Sequence, residues 1–458
     1  VKISFLGAAG TVTGSRYLIE HEGHLVLIDC GLFQGYKNLR LMNWEAPPFD
    51  PRKLTAVVLT HAHLDHSGAL PRLVKQGFAG RIHASPATRE LCEIMLPDSA
   101  RLQEEDAEHH NRHGSSRHKP ALPLYDENDA RAALEHFSPL KLATPLEMIP
   151  GVEVRLQSAG HILGAASVEL RCGGRTIVFS GDLGRPDDVL MLPPEPLPSC
   201  DEVVLESTYG DRVHAPLDGG KPLGEVIRRT VARGGTVLIP AFAVGRAQTL
   251  LLLLSRLQAA GAIPQVPVYL NSPMAIDMTD IYLRHHTEHR LTAEECAAMN
   301  AMARMVRSTE ASRALNASRE PAVIVSASGM ATGGRVLHHL KSLAPDARNA
   351  IVFAGYQAGG TRGARLVAGE RRIRIFGEDV EVNAEVVALQ GMSAHADSVQ
   401  LLAWLKTGPR VPQRVFLTHG EPGPADQLRQ KVESALGCSV RVPHLGEVAE
   451  FSGSGTVP

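Results

Sequence analysis

The chain has no Cys-x-x-Cys pair, no long apolar run free of charge, and almost no net charge. Its six cysteines (Cys30, Cys92, Cys172, Cys200, Cys296 and Cys438) are scattered through 458 residues. That scatter argues against both a disulfide framework and a cysteine zinc finger. Free thiols suit a reducing compartment, so a cytoplasmic location is the expectation. No apolar stretch approaches the roughly 18 residues a membrane-spanning helix needs, and no membrane partner is expected. The opening Val1-Lys2-Ile3-Ser4-Phe5-Leu6 moves straight into strand-like alternation and leaves no room for a secretory leader, so a soluble intracellular protein is expected. A net charge of -2 lacks the basic excess that drives sequence-independent binding to nucleic-acid phosphates. The objection is partial, because Arg362, Arg365, Arg371, Arg372 and Arg374 could form a basic stripe inside a balanced total. A solvated face is the equal alternative for them.

With 44% hydrophobic and 21% charged residues, the chain can bury two substantial cores. From Val1 to about Thr208, short strands separated by glycine turns are followed by helices such as Ser67 to Gln76 and Thr88 to Met95. That pattern suits two sheets covered by helices on their outer faces. From about Tyr209 the rhythm becomes strand, helix, strand: Thr236 to Ala241, Gly245 to Ala259, Ala322 to Ala327, Gly334 to Leu343, then Ile351 onward. These units read as a parallel sheet. After about Asp379 a strand from Val380 to Leu389 leads back toward His395 and His419. The expected division is a first part over 1–208, an inserted domain over 209–379 and a return over 380–458. The tail Ser452 to Pro458 is expected to fray.

His61-Ala62-His63-Leu64-Asp65-His66 packs four metal-ligating side chains directly behind the apolar run Ala56 to Thr60. Imidazole nitrogen with carboxylate oxygen suits zinc. Residues two apart on an extended segment point the same way, so His61 and His63 can share one ion while Asp65 and His66 face a second. Further candidates follow in order at the ends of predicted strands. Asp29 ends the strand His24 to Cys30, His161 lies in Ser158-Ala-Gly-His-Ile-Leu-Gly, and Asp182 lies in Ser180-Gly-Asp-Leu-Gly. Glu206 lies in Leu205-Glu-Ser-Thr-Tyr-Gly, His395 in Ser393-Ala-His-Ala-Asp, and His419 in Thr418-His-Gly-Glu. Singly, an aspartate beside glycine would be read as a turn residue. It is the ordered series that carries weight.

Two other stretches invite over-reading. Glu108-His109-His110-Asn111-Arg112-His113, with His118, is rich in histidine but has no cysteine and no strand end, and reads as a solvated polar insertion rather than a metal site. Pro193 to Pro198 reads as a stiff connector rather than a recognition segment.

The series from Gly7 to Glu421 resembles the metallo-β-lactamase superfamily, and Glu206-Ser-Thr-Tyr-Gly with the His395 and His419 motifs resembles its β-CASP branch, whose members process nucleic acids. The resemblance implies an α/β fold: a metallo-β-lactamase αββα sandwich with an inserted β-CASP α/β domain. It further implies two zinc ions, with manganese as the alternative. One would take His61, His63 and His161, the other Asp65, His66 and His419, with Asp182 between them. Asp29 would accept a hydrogen bond from a ligand imidazole and fix its tautomer. His395, oriented by Glu206, would give the leaving alkoxide its proton. Asp65 and Asp29 count with that pair among the catalytic candidates.

Ser328-Gly-Met-Ala-Thr-Gly-Gly-Arg335, between a strand and a helix, could hold an anion on its backbone N–H groups. In this family Ser328 and Gly329 are the expected phosphate contacts.

The implied activity is metal-dependent hydrolysis of single-stranded RNA. Histidine at position 419 favours RNA, since the DNA-processing members typically carry an apolar residue there. The chain ends soon after that motif, which favours the minimal cleavage-and-polyadenylation-type endonucleases of RNA processing and degradation over enzymes resecting from a 5′ end. A 5′-to-3′ exoribonuclease, a small-molecule metallo-hydrolase of the same sandwich and a non-catalytic RNA-binding scaffold stand as alternatives. No oligomeric state is legible, and a homodimer is compatible with the reading.

Overall fold

The computed structural model describes residues 1–451 except 115, 117, 216, 217 and 390. The expected fraying of Ser452 to Pro458 lies outside the described residues. The chain divides into two compact units, Val1–Pro186 with Pro193–Val213 and His395–Pro458, and Asp187–Leu192 with His214–Ala394.

The first unit contains two seven-stranded sheets. In one the order is Val448–Glu450, Lys2–Phe5, Tyr17–His21, His24–Ile28, Leu54–Val58, Arg81–Ala84 and Phe137–Pro139. In the other it is Ser439–Arg441, Arg414–Thr418, Glu202–Glu206, Arg175–Phe179, Ala166–Cys172, Val152–Ser158 and Leu146–Ile149. Alternate residues of the two sheets meet in one apolar core: Ile3, Phe5, Ile19 and Ile28 from the first, Val154, Leu156, Val168, Phe179 and Phe416 from the second. The rings of Phe5 and Phe416 meet 5.2 Å apart across it, tilted at 40°, and those of Tyr17 and Phe179 5.6 Å apart, tilted at 36°. This is the expected sandwich. The parallel pairings are what build a site. Arg175–Phe179, Glu202–Glu206 and Arg414–Thr418 run parallel, as do His24–Ile28 and Leu54–Val58, so the loops leaving these strands gather at their carboxyl ends.

The second helical expectation, Thr88 to Met95, is part of a 28-residue helix, Pro86–His113. Ser85 caps it by accepting the N–H of Thr88 at 3.1 Å, and Gly114 closes it at φ +59°. It runs through Pro97 because the buried stripe continues on the far side, from Leu91, Cys92, Met95 and Leu96 to Ser99 and Ala100. Burial of that face outweighs the one hydrogen bond proline removes, a penalty of about 3 kcal/mol. The histidine-rich segment Glu108–His113 is the solvent-exposed end of this helix, not an insertion loop.

The second unit holds a six-stranded parallel sheet in the order Arg304–Met305, Val268–Leu270, Val323–Ser326, Val237–Pro240, Ala350–Phe353 and Glu385–Ala388. Its last strand pairs with Ala350–Phe353 over four residues. That pairing keeps residues 380–394 with the inserted unit, so the chain returns at His395 rather than at 380. The expected arginine stripe is not a free basic surface: Arg365 pairs with Glu370 and Arg372 with Glu381, while Arg371 donates to the Val382 and Ala384 carbonyls. Among the described residues no helix is long and apolar enough to cross a membrane.

Candidate metal centre and acid pair

The loops at the strand ends bring all seven expected metal ligands together. His61, His63, His161 and Asp182 form one group of convergent ligand atoms, and Asp65, His66 and His419 form another. His63 stands at the start of the short helix Leu64–Ser67, which carries Asp65 and His66. In the first group, His61 Nε2 and His161 Nε2 lie 3.1 and 3.3 Å from His63 Nδ1, and 3.5 and 3.6 Å from Asp182 Oδ2. In the second, His66 Nε2 lies 3.1 Å from His419 Nε2, with Asp65 Oδ2 3.5 Å from the latter. Asp182 reaches this group too, its Oδ1 being 3.3 Å from His66 Nε2.

These spacings fit divalent cations. Two nitrogens each about 2.0–2.1 Å from one tetrahedral zinc stand about 3.3 Å apart, an edge length that the facing ring nitrogens reproduce. Among the described residues Asp182 Oδ1 is buried with no hydrogen-bond partner, an arrangement that is unfavourable unless a cation faces it. The electrostatics agree. Burial holds His61 and His161 well below the ordinary imidazole range and His63 down at about 4, so all three are neutral and have a lone pair to give. His66 differs: burial lowers its pKa, but the charges of Asp182 and Asp29 together raise it well above normal, so a cation there must displace a proton. Burial also disfavours the charged form of Asp182, yet the surrounding His419, His66 and His61 keep it well below the usual carboxylate range.

Asp29 is not a ligand in this arrangement. Its Oδ2 lies 2.7 Å from His66 Nδ1, and it also accepts from Thr60 N at 2.8 Å, Thr60 Oγ1 at 3.0 Å and Ser15 Oγ at 3.3 Å. Asp29 and His419 both adopt left-handed backbone, φ +59° and +50°. A non-glycine residue pays about 1–3 kcal/mol for this. Thr60 N holds the Asp29 turn, and the His419 N–H donates to the Ala8 carbonyl at 2.7 Å.

Glu206, the last residue of its strand, is buried and its carboxylate contacts His395 Nδ1 at 3.1 and 3.2 Å. Leu183 ties this pair to the metal ligands: its N–H donates to Glu206 Oε1 at 2.7 Å, and its carbonyl accepts from Ala396 N at 2.7 Å. His395 Nδ1 stands 4.0 Å from Asp182 Oδ2. Burial opposes protonation of His395, but Glu206 and then Asp182 outweigh it and push the pKa up to about 9. Cations in the cluster would offset the share from Asp182 and leave Glu206 as the group that retains the proton.

Ser328 and Gly329 lie in the second unit, before the helix Arg335–Leu343. Ser328 Oγ accepts the N–H groups of Thr332 at 3.0 Å and Gly333 at 3.3 Å, so part of the backbone counted on for an anion is already engaged within the loop. The residues that sequence reasoning missed are hydroxyls: Ser15, Thr60 and Thr208 each touch a ligand or its partner. The available signal was position, since Thr60 immediately precedes His61 and Thr208 sits inside the Glu206 motif.

Comparison with known proteins shows the family. Residues 9–230 match the family model described as the metallo-beta-lactamase superfamily, 247–366 the Beta-Casp domain, and 379–443 the Zn-dependent metallo-hydrolase RNA specificity domain. Ribonuclease TTHA0252 of Thermus thermophilus is 41% identical over 92% of this chain and 93% of its own length. Transcription termination factor FttA of Pyrococcus abyssi is 34% identical over 97% of this chain and 70% of its own, and that of Thermococcus kodakarensis 33% identical over 97% and 70%.

Proposed function

The chain belongs to the β-CASP branch of the metallo-β-lactamase superfamily and is a metal-dependent hydrolase, and from that premise we propose that it is a zinc-dependent ribonuclease that cuts single-stranded RNA internally, leaving a 5′ phosphate and a 3′ hydroxyl. The observation that carries the reading is the Glu206–His395 pair, set 4.0 Å from Asp182. A thioester expels a thiolate that needs no proton. RNA expels an alkoxide that does, and His395 is the group placed to supply it, an effect of about 10² to 10⁴ in rate.

Two zinc or manganese ions, when bound, would supply a water that loses its proton near neutral pH and would offset charge building on the phosphoryl oxygens. His61, His63 and His161 would hold one, Asp65, His66 and His419 the other, with Asp182 shared. Asp182 keeps its charge under burial because the rings around it favour the anion, so it is available to both. Asp29 holds His66 with Nε2 turned inward. Glu206 keeps His395 protonated until the leaving oxygen takes the proton, and then stabilises the ring for reloading. Ser328 and Gly329 are our candidates for contacts to an RNA phosphate on the second unit. Internal cutting rests on the similarity of the motif series to the cleavage-and-polyadenylation-type endonucleases, and RNA on the ribonuclease relative and on His419.

The test uses purified protein with end-labelled linear RNA, circular single-stranded RNA and DNA of the same sequence, with and without chelator. We expect chelator-sensitive cutting of both RNA forms, 5′-phosphate products and little loss of DNA. Intact circles beside degraded linear RNA would mean a 5′-to-3′ exonuclease. A 2′,3′-cyclic phosphate product would mean that the RNA 2′-hydroxyl is the nucleophile and that the proposed chemistry is wrong.

A further inference from the structure

An imidazole ligand must turn a bare nitrogen to its cation, and which nitrogen is bare is decided by the partner of the other one. Asp29 decides it for His66, because a carboxylate oxygen 2.7 Å from Nδ1 can only accept. For His419 the partner is a hydroxyl, which can donate or accept. Its direction follows from its second contact. Thr208 Oγ1 lies 3.0 Å from the carbonyl oxygen of His419 and 3.1 Å from Nδ1 of the same residue. The carbonyl can only accept, and the hydroxyl has one proton. Both contacts are hydrogen bonds in a single arrangement: Thr208 donates to the carbonyl, and His419 Nδ1–H donates to Thr208. Asp182 Oδ1, at 3.7 Å from that nitrogen, is too far to take the proton. His419 Nε2 is then bare and faces Nε2 of His66 at 3.1 Å. Thr60 repeats the device for His61, donating to Asp29 at 3.0 Å and contacting His61 Nδ1 at 3.1 Å.

We propose that Thr208 is a positioning residue that fixes the tautomer of His419, so that one strand end serves both halves of the site. Glu206 ends its strand and Thr208 opens the turn that follows. Glu206 holds the proton donor His395, and Thr208 holds the ligand His419. Ser207, between them, donates to the Thr418 carbonyl at 2.7 Å and ties the turn to the strand that delivers His419. The inference rests on the metal-centre reading given above.

The test compares wild type, Thr208→Val and Thr208→Ser. Each is loaded with zinc and dialysed against graded chelator, and ions per chain are counted. Thr208→Val should weaken the more labile ion by about 10- to 100-fold, while Thr208→Ser, which restores the hydroxyl, retains zinc like wild type. Long-range 1H–15N spectra of the zinc-free proteins at alkaline pH should show His419 as the Nδ1–H form in wild type and a shift toward Nε2–H in Thr208→Val. If the valine variant proves unstable, Thr208→Ala must give the same two results. Unchanged zinc retention together with an unchanged tautomer in the hydroxyl-free variants would overturn the role of Thr208 and leave the metal centre standing. Wild type that takes up no zinc would remove the metal centre itself, and this inference with it.

Discussion

Two stretches of the chain are rich in histidine, and they end in opposite environments. His61, His63 and His66 follow the strand Leu54–Val58, and His61 and His66 are 0% and 1% exposed. His109, His110 and His113 ride the exposed end of the helix Pro86–His113. The contrast shows that density of imidazoles does not make a metal centre. A buried ring needs a polar partner for each nitrogen, and the strand-end cluster provides one for three of its rings: Asp29 for His66, Thr60 for His61 and Thr208 for His419, with the opposite nitrogens converging on one another. At the helix end, the His109 and His113 rings lie 4.3 Å apart, tilted at 30°, with His113 Nδ1 2.9 Å from the carbonyl of His109, a local contact one turn long.

The comparison can be broken most severely at Asp182. Asp182→Asn replaces the carboxylate shared by the two ligand groups with a neutral amide, which cannot offset two neighbouring dications. It should lose at least one ion by elemental analysis and lower turnover beyond the roughly 10⁴-fold reach of acid catalysis alone. Retention of both ions and of turnover would show that the carboxylate is not shared.

Next comes His395→Ala, expected to cut turnover by about 10² to 10⁴ with metal content unchanged, because in the proposed function this ring donates a proton and ligates nothing. Replacing the leaving oxygen by sulfur should restore much of that loss. If the variant loses an ion, the assigned role is wrong. The pH profile sharpens the same point. Glu206 and Asp182 raise His395 to about 9 against the effect of burial, so its proton is present below that value and lost above it. Rate should therefore fall at alkaline pH, at or below about 9 once cations offset Asp182. Glu206→Gln should move that fall to lower pH. An unmoved alkaline limb would detach Glu206 from the proton donor.

The smallest effect belongs to the exposed stretch. His109→Ala with His113→Ala should leave turnover and tightly held metal as they were, and stability within about 0.5 kcal/mol by thermal melting. Loss of either property would mean that the helix end takes part in the site.

Much of the sandwich and the inserted parallel sheet was legible because both are written in local pattern: alternation, strand-end ligands, and strand-helix-strand rhythm. The seven ligands and the Glu206–His395 pair could be nominated from motif order, and the structure brings those residues together. What was not legible depends on partners distant in sequence. The return of the chain was placed at 380 because nothing local reveals that Glu385–Ala388 pairs with Ala350–Phe353. The helix pattern from Thr88 to Met95 falls short of the observed helix, because Pro97 lies inside it and the buried face beyond is a tertiary fact. For the arginines near 365 a stripe and a solvated face were equally compatible with the sequence, and the glutamates paired with Arg365 and Arg372 are visible only in the fold. Thr60 and Thr208 were invisible because a threonine next to a ligand carries no signal until the tautomer of the ring it touches is asked about.

The central claim is that the strand-end cluster is a two-ion centre and the helix-end histidines are not. It is tested most directly by elemental analysis of protein reconstituted with zinc and passed through a chelating column. Two tightly held ions per chain, both retained in the His109→Ala, His113→Ala double variant, is the predicted result. One ion or none in the wild type, or an ion lost with the helix-end histidines, would contradict the account.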